Sequence, residues 1–358
     1  MALTGILLVN LGTPDSPSTA DVRKYLKEFL LDERVIDIPW FFRQALVRGL
    51  IAPFRAPKSA KIYQEIWFKE GSPLMVYGRR LLDKMNIAMG SDFEVELAMR
   101  YQNPSIEKGI DTLLSKGVDR IIIFPLFPQY ASATTGSIHE KVMNLLGKRQ
   151  NIPDIHLVRD YFDHPAFISA FASRADVHQL ADFDHILFSF HGLPERQIRK
   201  ADNHKVCLSE TCCKSMRADN CQCYRAQCHA TARAIAKEKG IKEEDYTICF
   251  QSRLGSDPWI KPYTSDVIEH LAKKGVKKML VFCPAFVADC IETIDEIAVE
   301  YADEFKEAGG ESLTLVESLN DSDAWVAALR TIILEKSGLL PDSKVSQNMQ
   351  ESLSDPAV

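Results

Sequence analysis

The stretch Leu187-Phe188-Ser189-Phe190-His191-Gly192-Leu193-Pro194 decides how this chain folds. Residues 186–190 are apolar and aromatic, and glycine and proline follow almost at once. Such a run predicts a strand buried on both faces, as in a parallel sheet, that stops at its carboxyl end. In open α/β sheets ligands sit at the carboxyl ends of strands, so His191 stands where chemistry is usual. An imidazole titrates near neutral pH and can move a proton or ligate a metal. A histidine that merely closes a turn is the competing reading.

Working outward, the same pattern recurs. A strand over 5–11 leaves through the small-residue loop 12–17 into a helix over 19–31, the opening βα unit of a doubly wound fold. Strands over 93–99 and 120–125 flank a helix over 105–117, and the hydroxyl-rich loop 127–137 opens a helix over 137–146. Serine and threonine there can cap that helix, and its free N–H groups favour an anion such as a carboxylate. The strand over 155–159 starts a second series: helices over 165–178, 224–239, 263–274 and 290–308, with strands over 185–190, 246–250, 278–283 and 313–316. The expected fold is α/β, two doubly wound parallel-sheet (Rossmann-like) domains with a cleft between them. The domains run 1–158 and 159–317, the second carrying a Cys-rich insert at 202–224. A last helix within 318–337 packs back onto the first domain, and the polar tail 341–358 predicts disorder.

With 358 residues the chain has room for two domains, and 46% hydrophobic and 26% charged residues suit a soluble globular protein. A net charge of −6 argues against a nucleic-acid partner. No run of eighteen apolar residues occurs and residues 1–11 do not read as a signal peptide, so a cytoplasmic location is expected. Residues 36–56 mix Trp40, Phe41, Phe42, Leu46, Leu50, Ile51 and Phe54 with Arg43, Arg48 and Arg55. That mixture fits core packing, or an apolar lip that meets a greasy ligand or the inner face of a membrane peripherally. Nine cysteines in a cytoplasmic chain point to metal or redox chemistry rather than disulfides.

The strand over 278–283 empties into 284–290, and Glu292, Glu296 and Glu300 then fall four apart, on one face of a helix. A solvated acidic face is one reading. The other is a cleft in which His191 faces carboxylates, a combination suited to a divalent metal together with proton transfer.

Seven segments in order now carry a resemblance: LLVNLGTP (7–14), GSPL (71–74), RYQNP (100–104), FPQYASATTGS (127–137), SFHGLP (189–194), FQSRLGSDPWIKPYT (250–264) and PAFVADCIETIDE (284–296). In these the chain resembles the ferrochelatases, which insert Fe(II) into protoporphyrin IX to form protohaem with release of two protons. The resemblance implies two doubly wound domains around a porphyrin cleft. It implies that His191 and Glu292 are paired across the macrocycle, that His191 accepts the pyrrole protons, and that Glu292, Glu296 and Glu300 form an acidic path for the iron or for protons. Tyr63, Ser72, Arg100, Tyr101, Trp259 and Phe286 match porphyrin-lining positions, and Arg100 would suit a propionate. Related readings are a chelatase for coproporphyrin III or another tetrapyrrole, and a porphyrin or haem carrier without chemistry. A carrier needs neither His191 nor Glu292. Cys290 stands where animal members have histidine, as in many bacterial ones.

The second departure is the insert, with Cys207, Cys212, Cys213, Cys221, Cys223 and Cys228 in and just after it. Cysteines packed this closely bind a [2Fe–2S] cluster or zinc. Animal ferrochelatases hold a [2Fe–2S] cluster with C-terminal cysteines and one in the loop at the position of Ser132, and this chain has neither. Resemblance to bacterial members with an insert of the form C…CC…CYR implies Cys207, Cys212, Cys213 and Cys223 as ligands, with Cys221 the first substitute and Cys228 the last.

Overall fold

The computed structural model describes residues 3–340 except 254 and 256, so the tail 341–358 lies outside the described residues. Among the described residues the apolar runs form eight parallel strands in two sheets. The first holds β1 (Thr4–Gly12), β2 (Phe93–Tyr101), β3 (Arg120–Pro125) and β4 (Asp154–Leu157) in the order β2-β1-β3-β4. The second repeats that order with β5 (His185–His191), β6 (Tyr246–Gln251), β7 (Lys278–Phe282) and β8 (Ser312–Leu315) as β6-β5-β7-β8. Registers such as Ile6↔Val95 and Ile6↔Ile122, or Phe188↔Ile248 and Phe188↔Phe282, bury both faces of the central strands β1 and β5. In each sheet the chain leaves the central strand to one side and later returns on the other. The carboxyl ends of β1 and β5 are therefore the two switch points where such sheets open a crevice.

One strand changes sides relative to the sequence reading. The strand expected over 155–159 does not start the second series: β4 pairs with β3 (Ile121↔Ile155) and closes the first sheet. As an edge strand it is only half-buried, and its pattern carries no mark of which sheet it joins.

One core runs through both halves. Ile6, Leu8 and Phe124 of the first sheet share it with Phe188 and Phe282 of the second and with Trp325. Tyr161 stacks between Phe124 (5.0 Å) and Trp325 (6.2 Å). The helix Asp323–Lys336 packs on both Pro73–Met89 and Pro165–Ser173, and Lys84 Nζ fixes its start by donating to the Asp321 carbonyl (2.6 Å) and to Asp323 (2.9 Å). At the exit of β1, Gly12 has φ +126°, and a Cβ there would meet the Tyr101 carbonyl oxygen, so only glycine lets β1 and β2 stay paired to their ends.

Residues 40–66 form helix Trp40–Ala45, a π-helix Leu46–Ile51 and helix Ala52–Ile66. Val47, Ala56, Ala60 and Tyr63 are buried with residues of helix Thr19–Leu30, whereas Trp40, Phe41, Phe42, Leu50 and Phe54 are each at least 56% exposed. The stretch thus packs one face and offers an apolar surface on the other. Among the described residues no helix is long and apolar enough to cross a membrane. Between helices Glu195–Ala201 and Tyr224–Lys239 the chain has no regular element. Buried Asn220 organises it, donating to the carbonyls of Cys212 (2.5 Å) and Ser215 (2.8 Å) and accepting from the Arg217 N–H (2.7 Å).

Candidate active site

A cavity of about 950 Å³ opens at the switch points, at the upper end of the range for small-molecule sites. Its wall takes residues from the end of β1 (Asn10 to Thr13), the loop after β3 (among them Gln129 and Thr134), the end of β5 and the turn after it (His191 and Pro194), Ser252 and Arg253 after β6, and the segment after β7 (among them Phe286 and Glu292). His191, the last residue of β5, donates from Nδ1–H to the Gly192 carbonyl at 2.6 Å. A carbonyl can only accept, so this bond sets the tautomer of the neutral form, whose Nε2 has no hydrogen-bond partner among the described residues and can accept a proton. The ring lies 6.4 Å from that of Trp259 and 6.3 Å from that of Phe286, two aromatic walls suited to a flat ligand. Its main chain is also held: the Gly192 N–H donates to Gln251 (2.8 Å), and the Tyr224 hydroxyl donates to the His191 carbonyl (2.8 Å).

The acidic stripe lines the same cavity, but its helix is not the expected α-helix. Glu292–Tyr301 is a ten-residue π-helix, continued by the α-helix Ala302–Glu307. Its i→i+5 bonding is rare and concentrates at functional sites. A four-residue spacing stays near one face in either winding, so Glu292, Glu296 and Glu300 still line one wall, joined by Asp295 and Glu304. Glu296 accepts from Gln251 Nε2 (3.1 Å), the Ser252 hydroxyl (2.6 Å) and the Tyr301 hydroxyl (3.1 Å). Burial, then the charges of Glu65 and Glu296, raise the Asp295 carboxyl. Burial, then Glu296, Glu304 and Asp295, raise Glu300. Tyr63 is pushed up by burial and then by the charge of Glu292. Crowded carboxylates with raised values are a site short of positive charge.

The cavity brings together His191, Glu292, Glu296, Glu300, Tyr63, Ser72, Trp259 and Phe286. It does not include Arg100 or Tyr101, which correct the sequence expectation. Arg100 Nη2 donates to Asp32 at 2.6 Å and its Nε to the Ser137 hydroxyl at 2.6 Å, while the Tyr101 hydroxyl donates to Asp32 at 2.8 Å. A nearly buried carboxylate needs a cation, and Arg100 is committed to it rather than to a ligand. Burial opposes the charge on Asp32, but the bonds from Ser137 and the Arg34 N–H, with the Arg100 charge, hold its carboxyl below the usual value. The same network takes the hydroxyl of Ser137 away from capping. Helix Ser137–Leu146 has no side-chain cap, contrary to expectation, because a π-turn Ser132–Gly136 leads into it. Arg55 and Arg253 line the cavity instead. Arg55 was visible within the mixed stretch 36–56, and Tyr224 only as the tyrosine of the CYR pattern, with no role attached to it.

In the insert, the thiols of Cys207, Cys212 and Cys223 lie within 4.8 Å of one another. Cys212 Sγ is 3.7 Å from Cys223 Sγ, and Cys213, outside that trio, interacts with Cys223. The bond from Cys213 outweighs burial and, with those from the Ala226 N–H, Cys207 and Cys212, brings the Cys223 thiol down to about 6. Cys221 is exposed and donates to the Ala218 carbonyl (3.2 Å), and Cys228 is fully buried on helix Tyr224–Lys239.

The comparisons with known proteins agree with this geometry. The ferrochelatase family pattern matches residues 3–337. A ferrochelatase of Legionella pneumophila (strain Lens) is 43% identical over 332 residues, covering 93% of this chain and 99% of that protein. One of Pseudomonas fluorescens (strain Pf0-1) is 46% identical over 332 residues, covering 91% and 96%. Among solved structures, SirB from Bacillus subtilis with Fe3+ shares the fold alone, with a TM-score of 0.53 at 12% identity over 93% of this chain and 95% of that one. Two parallel sheets around a cleft with a histidine and a carboxylate wall define a metal chelatase. The chain belongs to the ferrochelatase family, enzymes that insert a metal ion into a porphyrin.

Because the folded-state values of Asp295 and Glu300 are raised, charging them opposes folding. Their contribution is complete below the unfolded carboxyl value and is lost as pH rises through the folded ones. Glu300→Gln is therefore expected to raise the melting temperature by roughly 1–2 °C at pH 8 and not at pH 4, measured calorimetrically without added metal. An equal effect at both pH values would remove the repulsion from the account.

Proposed function

We propose that this enzyme inserts Fe(II) into protoporphyrin IX. The observation that carries the reading is the free Nε2 of His191 in the same cavity as the carboxylates from Glu292 to Glu300. Insertion must remove two protons from pyrrole nitrogens and deliver a dication, so the site needs a proton acceptor and a path rich in negative charge. His191 Nε2 takes the two pyrrole protons one at a time, releasing the first to the cavity's carboxylates or to solvent before it takes the second. Glu292 receives the metal from the cavity wall, and Glu296, kept aligned by Gln251, Ser252 and Tyr301, passes charge along the wall. Imidazole and carboxylate ligands both suit Fe(II) at such a site. Trp259 and Phe286 flank the macrocycle, and Arg55 and Arg253 take the propionates that Arg100 cannot reach.

The thiol group fits a [2Fe–2S] cluster held by Cys207, Cys212, Cys213 and Cys223, with zinc as the alternative occupant. Three thiols gather within 4.8 Å of one another in a segment with no regular structure, Cys213 adjoins them, and the Cys223 thiol sits well below the usual value. Soft thiolate sets select these metals. Such a cluster supplies a crosslink and a one-electron site. The exposed aromatic face of residues 40–54 suits peripheral contact with a bilayer, from which an apolar porphyrin could be drawn.

His191→Ala is expected to lower the insertion rate by about 10²–10⁴-fold while porphyrin binding, followed by fluorescence, changes little. Near wild-type turnover would eliminate the proton-acceptor role. Anaerobically purified protein should show visible bands with iron and acid-labile sulfide in equal amounts, both lost in Cys212→Ser. Colourless protein with zinc would replace the cluster by a structural metal. The protein should co-sediment with vesicles of phosphatidylethanolamine and phosphatidylglycerol, severalfold less when Phe41 and Phe42 are both changed to serine. Equal sedimentation of both proteins would count against the lip.

A further inference from the structure

The thiol group and the cleft are joined by three consecutive residues. Cys223 belongs to the thiol group and precedes the first turn of helix Tyr224–Lys239. Tyr224 is buried, lines the cavity, and donates its hydroxyl to the His191 carbonyl at 2.8 Å. Arg225 reaches both ways: Nη1 donates to Cys213 Sγ (3.5 Å) and Nη2 to the Lys261 carbonyl (3.2 Å). Lys261 adjoins the segment that braces the turn after His191, where the Ile260 N–H donates to Leu193 (3.0 Å) and the Glu195 N–H to Pro258 (2.9 Å). Arg233, two turns further along the helix, donates to the Cys213 carbonyl (2.8 Å).

We propose that Tyr224 is a positioning residue that makes the orientation of His191 depend on the occupancy of the thiol site. The proposal rests on the reading of that site as a metal or cluster site, and it holds for either occupant. Residues 202–223 have no helix or strand to hold them and rest on the bonds of Asn220, one of them from the Cys223 N–H to the Asn220 carbonyl (2.8 Å), so a crosslink among the cysteines adds a further restraint on where Cys223 sits. When the crosslink is lost, the start of the helix is free to shift, and the Tyr224 hydroxyl moves away from the His191 carbonyl. The imidazole is aimed by its own bond to the next carbonyl, so a displaced main chain turns Nε2 away from the ligand. Arg225 is the second arm of the same device, tying Cys213 to the far side of the His191 turn.

The test compares wild type, Tyr224→Phe and Arg225→Gln, each before and after the thiol site is stripped with a chelator under anaerobic reduction. Metal and sulfide content are counted, protoporphyrin IX affinity is read by fluorescence without metal substrate, and kcat and KM are measured separately. Stripping wild type is expected to lower kcat about tenfold, the scale of one lost hydrogen bond. Loaded Tyr224→Phe should keep its visible spectrum yet show most of that loss in kcat, with porphyrin affinity near wild type, and stripping should add less than about twofold. Penalties that multiply, or loaded Tyr224→Phe with wild-type kcat, overturn the coupling while leaving the thiol site intact. Wild type with neither metal nor sulfide overturns the thiol-site reading and this proposal with it. If Tyr224→Phe does not fold, Arg225→Gln decides by the same criterion of non-multiplying penalties.

Discussion

All-parallel pairing is the constraint on which the rest of the structure depends. Parallel strands need long crossovers, and those crossovers cover both faces of each sheet with helices. What they leave open is the edge at which strands end. Both sheets use the same strand order, so each has its switch point beside its central strand, and the ends of β1 and β5 face one cleft. Every reactive group of the site is placed by this arrangement. His191 ends β5, Gln251 ends β6, and the acidic π-helix follows the exit of β7.

Within the cleft the two walls are held by different kinds of interaction. The histidine wall is fixed by hydrogen bonds to carbonyls, one from the ring and one onto its main chain. The acidic wall is kept together against repulsion: Glu296 is satisfied by three neutral donors, while Asp295 and Glu300 remain raised by burial and by neighbouring charge. No cation balances those carboxylates through an ion pair among the described residues. Arg100 shows the opposite economy, since its charge is spent on the nearly buried Asp32 and cannot serve a ligand.

Much of this was legible in the residues. The aromatic run ending at His191, the loop 127–137, the carboxylates four apart and the cysteine-dense insert all stood out, and most of them line the cavity or gather as thiols. The errors share a cause. Arg100 and Tyr101 sit at a strand end like His191, but whether a side chain there meets a ligand or a buried aspartate depends on helix Thr19–Leu30, which delivers Asp32 from far away in the chain. The serine and threonine hydroxyls of the loop 127–137 suit a helix cap, but Gly136 holds the cap position and Asp32 claims the Ser137 hydroxyl. β4 read as the start of a new series because an edge strand pairs on one side only and its pattern does not name its partner.

Strand and helix periods, the buried character of the central strands and the presence of donor-rich segments are local properties, written in neighbouring side chains, and the sequence by itself determined them. The α/β class with two halves follows from those periods alone. Tertiary structure decided which donors share a space: Tyr224 against His191, Arg55 rather than Arg100 at the cavity, the π-winding of the acidic wall, and three thiols brought within reach of each other. The reason is physical. A hydrogen bond or a desolvated charge is worth having only with its partner in place, and partners far apart in the chain meet only when the sheets and their crossovers have packed.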